Sequence, residues 1–244
     1  MPINVFEPKS QFISQKSEIT NAIKKVLNSG SYILGKEVIK LEKNFAKLHN
    51  SKFAIAVKNG TDALTISLKI LNIGKGDEVI TTSHTAQATI AAIVDSGATP
   101  VIVDIEKNYY TLDPNLIEDK ITKKTKAVIP VHIYGQCCEM KKITKIAKKW
   151  NIYLIEDCSQ AHGAKIYNKS VGTFGIMSTF SFYPTKNLGA IGDGGIIVTR
   201  KKSIAEKIKK FREYGWNKNR SSKNPGINSR LDEMQAAILN TKLK

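Results

Sequence analysis

Short β-branched runs alternate along this chain with longer stretches whose apolar residues recur every three or four positions, and that alternation limits the fold more than any other feature. The runs are Phe53–Val57, Glu78–Thr81, Pro100–Val103, Ala127–Val131, Tyr153–Glu156, Ser178–Phe182 and Gly195–Thr199. Between many of them lie amphipathic segments. Val38, Leu41, Phe45 and Leu48 share one helical face, as do Leu64, Ser67, Leu68 and Leu71; Lys141–Trp150 and Ser203–Tyr214 are patterned alike. Strands alternating with helices predict an α/β domain on a mostly parallel sheet, because each parallel pair needs a crossover long enough to hold a helix. Gly74-Lys75-Gly76-Asp77 and Gly192-Asp193-Gly194-Gly195 supply turns. A last helical pattern begins near Leu231. The first 30 residues are polar and weakly patterned, which predicts an arm lying on a domain that spans 31–244.

Composition excludes several classes. Hydrophobic residues make up 41% and charged residues 24% of the 244, an ordinary globular balance that rules out wholesale disorder. The best apolar run, around Ile90–Val94, stops at Asp95, far short of a spanning helix. The N-terminus has no basic stretch followed by an apolar one. Cysteine occurs only at 137, 138 and 158, so a reduced, cytoplasmic protein is expected. Lys plus Arg number 38 against 21 Asp plus Glu, a net charge of +17. Arginine stands only at 200, 212, 220 and 230, and the lysines are scattered over nearly every predicted helix. A dedicated nucleic-acid surface clusters its charge and uses Arg for base edges. The charge is therefore read as bias with affinity for anionic ligands, and polyanion binding is kept as a lesser alternative.

Common catalytic motifs are missing. No Gly-x-Gly-x-x-Gly lies between a strand and a helix, and Gly35-Lys36 and Gly74-Lys75 are not followed by Ser or Thr, so there is no P-loop. No Gly-x-Ser-x-Gly elbow occurs. His132 and Cys137 are the nearest metal-type pair, too little to predict a metal site.

Four segments remain. Val57 to Leu64 runs from a strand through Gly60-Thr61 into a helix whose free N–H groups suit a phosphate, although Thr or Asp there serves equally as an N-cap. Glu156 and Asp157 lie at the carboxyl end of an apolar strand, the edge that faces the ligand crevice in open α/β sheets; capping of the next turn is the competing reading. Lys186 sits in Phe-Tyr-Pro-Thr-Lys-Asn-Leu-Gly, apolar surroundings that would lower its pKa and make its amine a better nucleophile toward an aldehyde. Asn228 and Arg230 precede the last helix, as a cap and surface cation or as anion ligands. Together these are the parts of a pyridoxal 5'-phosphate site. Lys186 would form the imine, Asp157 would keep the pyridine nitrogen protonated, and Gly60, Thr61 and Ser181 would cradle the phosphate.

The sequence resembles the DegT/DnrJ/EryC1/StrS family of sugar aminotransferases over essentially its whole length. The resemblance lies in Gly-Thr-Asp-Ala-Leu at 60–64, Gly-Asp-Glu-Val at 76–79, Ala-Thr-Pro-Val at 98–101 and Pro-Val-His-Ile-Tyr-Gly-Gln at 130–136. Glu-Asp-Cys-Ser-Gln-Ala-His-Gly at 156–163, Phe-Ser-Phe-Tyr-Pro-Thr-Lys-Asn-Leu-Gly-Ala at 180–190 and Asn-Ser-Arg-Leu-Asp-Glu-Met-Gln-Ala-Ala at 228–237 complete it. It implies the large domain of the aspartate-aminotransferase-like fold (PLP-dependent fold type I) and a homodimer with sites at the subunit interface. It also implies that Gln160 lies near the phenolic oxygen of the cofactor, that Asp62 adds its main-chain N–H to the phosphate cup, and that Asn228 reaches the neighbouring subunit's phosphate. The family often places an aromatic ring two positions after the His84 position. Here Ala86 stands there, so either His84 supplies the stacking face or the ring is less covered. Tyr183 and Arg230 are candidate substrate contacts.

Lysine at 186, where dehydratase relatives have His, favours transamination. The implied reaction moves an amino group from L-glutamate to a nucleotide-linked, dTDP-type keto-deoxysugar for amino-sugar and surface polysaccharide (O-antigen) biosynthesis. The stretches 84–86 and 214–232 look like members that aminate C3, with C4-aminating members close behind. Relatives carry a further C-terminal domain of roughly a hundred residues, the size of a small domain, which is expected to be absent here. A catalytically silent relative that binds the cofactor or a sugar nucleotide is therefore the main alternative.

Overall fold

The computed structural model describes residues 6–217, 219–222 and 224–243; the first five residues of the expected arm and Lys244 lie outside them. The chain runs α1 (Pro8–Ser14), α2 (Lys16–Ser29), α3 (Lys36–Leu48), β1 (Phe53–Val57), α4 (Gly60–Ile70), β2 (Glu78–Thr82), α5 (Gln87–Ser96), β3 (Thr99–Val103) and β4 (Thr125–Val128). It continues with α6 (Met140–Lys149), β5 (Tyr153–Asp157), a small hairpin β6 (Lys165–Ile166) and β7 (Lys169–Ser170), β8 (Met177–Ser181), β9 (Gly195–Thr199), α7 (Lys202–Phe211) and α8 (Glu233–Lys242).

Seven strands form one sheet in the order β1-β9-β8-β5-β4-β2-β3. Only β9 runs against its neighbours, β1 and β8; every other pairing is parallel. The carboxyl ends of β1, β8, β5, β4 and β2 therefore share one edge of the sheet. That edge is where the expected site residues fall.

The helices cover both faces through the apolar stripes that the sequence shows. Val38, Leu41 and Phe45 of α3 are buried, and Ile143 and Ala147 of α6 do the same, while Lys141, Lys142, Lys145, Lys148 and Lys149 stay in solvent. Much of the positive charge is thus a set of solvated helix faces. Glu233, at the start of α8, caps α3 from outside: its carboxylate accepts from the N–H groups of Glu37 at 2.9 Å and Val38 at 2.8 Å. The segment expected as an arm is helical, and α2 buries Ile19 and Val26. Among the described residues no helix is long and apolar enough to cross a membrane.

Three elements differ from the sequence expectation by more than an end residue, one of them α7, which ends at Phe211 and not at Tyr214. β4 ends at Val128 and not at Val131, because Pro130 has no N–H to continue the ladder; Val131 makes only an isolated bridge to Asp157. The apolar stretch around Ile90–Val94 lies in helix α5, whose composition is too uniformly apolar to show a face.

Beneath the sheet edge, Phe45, Phe180 and Phe182 enclose His49 and His162, with ring centroids 4.3–6.3 Å apart. His49 Nε2 and both nitrogens of His162 are buried without a hydrogen-bond partner among the described residues. Burial holds His49 down to about 4, and burial together with neighbouring His49 holds His162 down to about 3, against an ordinary 6.5. Both rings stay neutral in the folded chain. The unfolded chain binds protons that the fold rejects, so the stability they allow is complete above pH 6.5 and is lost as pH falls toward 4. At pH 4 the loss is on the order of 3 kcal/mol per ring. Urea midpoints measured from pH 7.5 to 4 should fall with an onset near 6.5; a midpoint flat down to pH 5 would contradict this.

Candidate active site

Asp157 closes β5 and is 4% exposed. A buried carboxylate needs donors. Its Oδ1 accepts from the Ser159 N–H at 3.0 Å and its Oδ2 from Thr89 Oγ1 at 2.8 Å. Thr89 has spent its only proton on Asp157, so Thr85 Oγ1, 2.7 Å away, donates to Thr89. A hydroxyl relay from the start of α5 thus fixes the acid at the sheet edge.

Lys186 lies on the loop that leaves β8, half-buried, its backbone N–H closing a turn on Tyr183 O at 2.9 Å. Its ammonium has no hydrogen bond or ion pair among the described residues. Burial lowers its pKa, and the Asp157 charge pulls it partly back. The amine is thus easier to deprotonate, and it lies within electrostatic reach of a fixed carboxylate.

The start of α4 is the third component. Asn59 caps it, its Oδ1 accepting from the Asp62 N–H at 2.7 Å. The amide that the sequence assigns to the phosphate cup through Asp62 is therefore already taken. The N–H groups of Gly60 and Thr61 have no partner among the described residues and remain open to an anion. Gly60 is forced to be glycine: a Cβ there would come 2.8 Å from Ser181 Cβ. This close approach places Ser181, 8% exposed at the end of β8, beside the open helix start.

A fourth group meets at Tyr134, which is 77% exposed and left-handed with φ 53°. Its N–H donates to Gln160 Oε1 at 2.7 Å, leaving the Nε2 end of that amide as a free donor. Its ring stands edge-on to His84, with centroids 5.7 Å apart, and His84 Nδ1 donates to Tyr110 O at 2.9 Å. His84 is thus held by two tyrosines, while Ala86 is exposed at the N-cap of α5 and offers no ring.

The remaining candidates are peripheral. Tyr183 is 51% exposed beside Lys186. Asn228 is exposed and bridged through its backbone to Glu213; Arg230 is half-buried. Neither makes a hydrogen bond or ion pair with Lys186 or Asp157 among the described residues.

Glu156 points away from Asp157, as alternation along a strand requires. It accepts from the N–H groups of Gly172, Phe174 and Gly175, each at 2.7 Å. His132 takes Glu156 and Cys158 as neighbours rather than Cys137: one of its ring nitrogens, a Glu156 carboxylate oxygen and Cys158 Sγ lie within 4.8 Å of one another. These groups are already committed. His132 Nδ1 accepts from the Cys138 N–H at 3.1 Å, so the ring proton sits on Nε2 toward Glu156 at 3.4 Å, and burial pushes the Cys158 thiol up to about 12. Through Glu156 the cluster staples the 172–175 loop to the end of β5. Thr85, Thr89, Tyr134 and the Glu156 staple escape sequence reading. Only the Thr85/Thr89 spacing at a helix start offered a signal.

This donor set fits pyridoxal phosphate: a desolvated amine beside a buried acid, and open amides with a serine hydroxyl at a helix start. The chain belongs to the DegT/DnrJ/EryC1/StrS aminotransferase family, whose model matches residues 14–244. It is 52% identical over 228 residues to the dTDP-3-amino-3,6-dideoxy-alpha-D-galactopyranose transaminase of Aneurinibacillus thermoaerophilus, covering 93% of this chain and 63% of that protein. Its fold matches DesV of S. venezuelae, solved in complex with a ketimine intermediate, with a TM-score of 0.96 and 42% identity over 99% of this chain and 65% of that one. It also matches NtdA of Bacillus subtilis with bound cofactor PMP, with a TM-score of 0.90 and 34% identity over 94% of this chain and 53% of that one. The chain thus spans less than two thirds of the length of these relatives.

Proposed function

We propose that residues 31–244 form the cofactor-carrying large domain of a pyridoxal phosphate-dependent aminotransferase acting on a nucleotide-linked keto sugar. The observation that carries this reading is the pairing of Lys186, half-buried and without an ionic partner, with the buried Asp157. When bound, the cofactor supplies an electrophilic aldehyde and an electron-withdrawing pyridinium ring. Asp157, fixed by Thr89 and Ser159, would accept a hydrogen bond from the ring N–H and keep that nitrogen protonated. Gly60 and Thr61 N–H and Ser181 Oγ would hold the phosphate, and Gln160 Nε2 would donate to the ring oxygen. His84, oriented by Tyr110 and Tyr134, would supply the stacking face that Ala86 does not. Lys186 Nζ takes the proton from the α-carbon of the amino donor, L-glutamate, because one group must serve first as nucleophile and then as base.

Similarity to proteins named dTDP-3-amino-sugar transaminases supports a dTDP-linked keto-deoxysugar as acceptor, with C3 as the aminated carbon. In the same proposal the protein works in the cytoplasm as a homodimer, with Asn228 reaching across to the neighbouring site and Tyr183 and Arg230 contacting substrate, and serves amino-sugar synthesis for surface polysaccharide. The test incubates the protein with PLP, L-glutamate and 3-keto or 4-keto dTDP-6-deoxyhexoses. Formation of 2-oxoglutarate with the 3-amino sugar is expected. Turnover confined to the 4-keto sugar would move the site of amination, and none with either would overturn the substrate.

A further inference from the structure

Asp62 poses a problem at the open helix start. It occupies the first turn of α4, beside the unpartnered N–H groups of Gly60 and Thr61. A carboxylate in a first turn is drawn to free amides and to the positive end of the helix dipole. Swung onto those amides, it would occupy the phosphate position and repel a phosphate dianion.

The structure shows what holds it aside. Ser229 is fully buried, at 0% exposure. Its Oγ accepts from the Lys58 N–H at 3.1 Å, which directs its single proton to Asp62 Oδ2 at 2.7 Å. Ser229 is itself fixed through its backbone: its N–H donates to Arg212 O at 3.0 Å, and Ile227 N–H donates to Phe211 O at 2.8 Å. Arg212 in turn is pinned by Glu42 at 2.6 Å and Ala56 O at 2.7 Å. The hydroxyl thus sits on a rigid frame, and Asp62 is the only partner for its proton among the described residues.

We propose that Ser229 is a positioning residue: its hydroxyl holds the Asp62 carboxylate off the α4 amides and keeps them open to the phosphate of the cofactor. The inference rests on the cofactor reading above, and it concerns the phosphate alone. It therefore predicts a difference between two aldehydes that share a ring, pyridoxal phosphate and pyridoxal, which lacks the phosphate.

The experiment titrates each aldehyde by absorbance into wild type, Ser229→Ala, Ser229→Thr, Asp62→Asn and the double variant Ser229→Ala/Asp62→Asn, with urea midpoints to confirm folding. Ser229→Ala should weaken pyridoxal phosphate about tenfold, the scale of one hydrogen bond to a charged group, and leave pyridoxal within twofold. Ser229→Thr, which keeps the hydroxyl, should match wild type, and the double variant should regain the lost affinity. Should Ser229→Ala not fold, Asp62→Asn decides: pyridoxal phosphate bound as tightly as by wild type or more so supports the inference, and weaker binding overturns it. Equal weakening of both aldehydes in Ser229→Ala, or no weakening, would overturn the inference while leaving the cofactor reading intact. Failure of wild type to capture pyridoxal phosphate would sink that reading and the inference with it.

Discussion

On the function proposed above, replacing Lys186 by Ala should leave a folded protein and lower amino transfer by about four orders of magnitude, the upper end for loss of a positioned general base. The side chain is half-buried on a loop and makes no hydrogen bond or ion pair among the described residues, so the fold does not depend on it. Burial lowers its pKa against the opposing pull of Asp157, which suits the base role proposed for it. Because the missing function is an amine, added methylamine should restore part of the rate, and Lys186→Arg, a cation that cannot lose its proton near neutral pH, should not. Single-turnover rates with L-glutamate, with and without added amine, make the measurement. A Lys186→Ala protein of wild-type rate would remove this residue from the mechanism.

Replacing Glu156 by Ala should cost about 3–5 kcal/mol of stability, the range for breaking a buried charged network. The carboxylate is 0% exposed and takes amide protons from Gly172, Phe174 and Gly175 at 2.7 Å each, with His132 Nε2 at 3.4 Å. Alanine would strand these donors in an apolar surround, and an unsatisfied buried donor loses its solvation with no return. A domain of this kind holds about 5–15 kcal/mol in total, so the variant should unfold at markedly lower urea. Glu156→Gln, which keeps one acceptor oxygen, should fall between the two. A Glu156→Ala midpoint within error of wild type would show that the 172–175 loop does not need its staple.

These two carboxylates show what a sequence discloses and what it withholds. Glu156 and Asp157 are neighbours at the end of an apolar run, so both could be placed at a strand mouth before any coordinates. Alternation then sends them to opposite sides, one to the site edge and one to the staple, and the loop that Glu156 holds lies 16 to 19 residues away. The strands Phe53–Val57 and Gly195–Thr199 were legible to the residue, because turn residues bound them and β-branched residues fill them. Helix α5 was not, since a stretch apolar on nearly all sides has no period to read. His132 was matched to Cys137 by closeness in sequence, whereas the fold sets it against Cys158 and Glu156. The shared edge on which Lys186, Asp157 and Gly60 lie was legible, because sheet topology alone brings strand ends together. Ser229 was not, for its bond to Asp62 spans 167 residues and depends on the frame around Arg212.

The central claim is a covalent one, and chemical trapping tests it most directly. Wild-type protein mixed with pyridoxal phosphate, reduced with borohydride, digested and mapped by mass spectrometry should carry the pyridoxyl phosphate group on Lys186 and on no other of its many lysines in comparable yield. A label spread over the exposed lysines of α6 and α7, with Lys186 unmodified, would contradict the account.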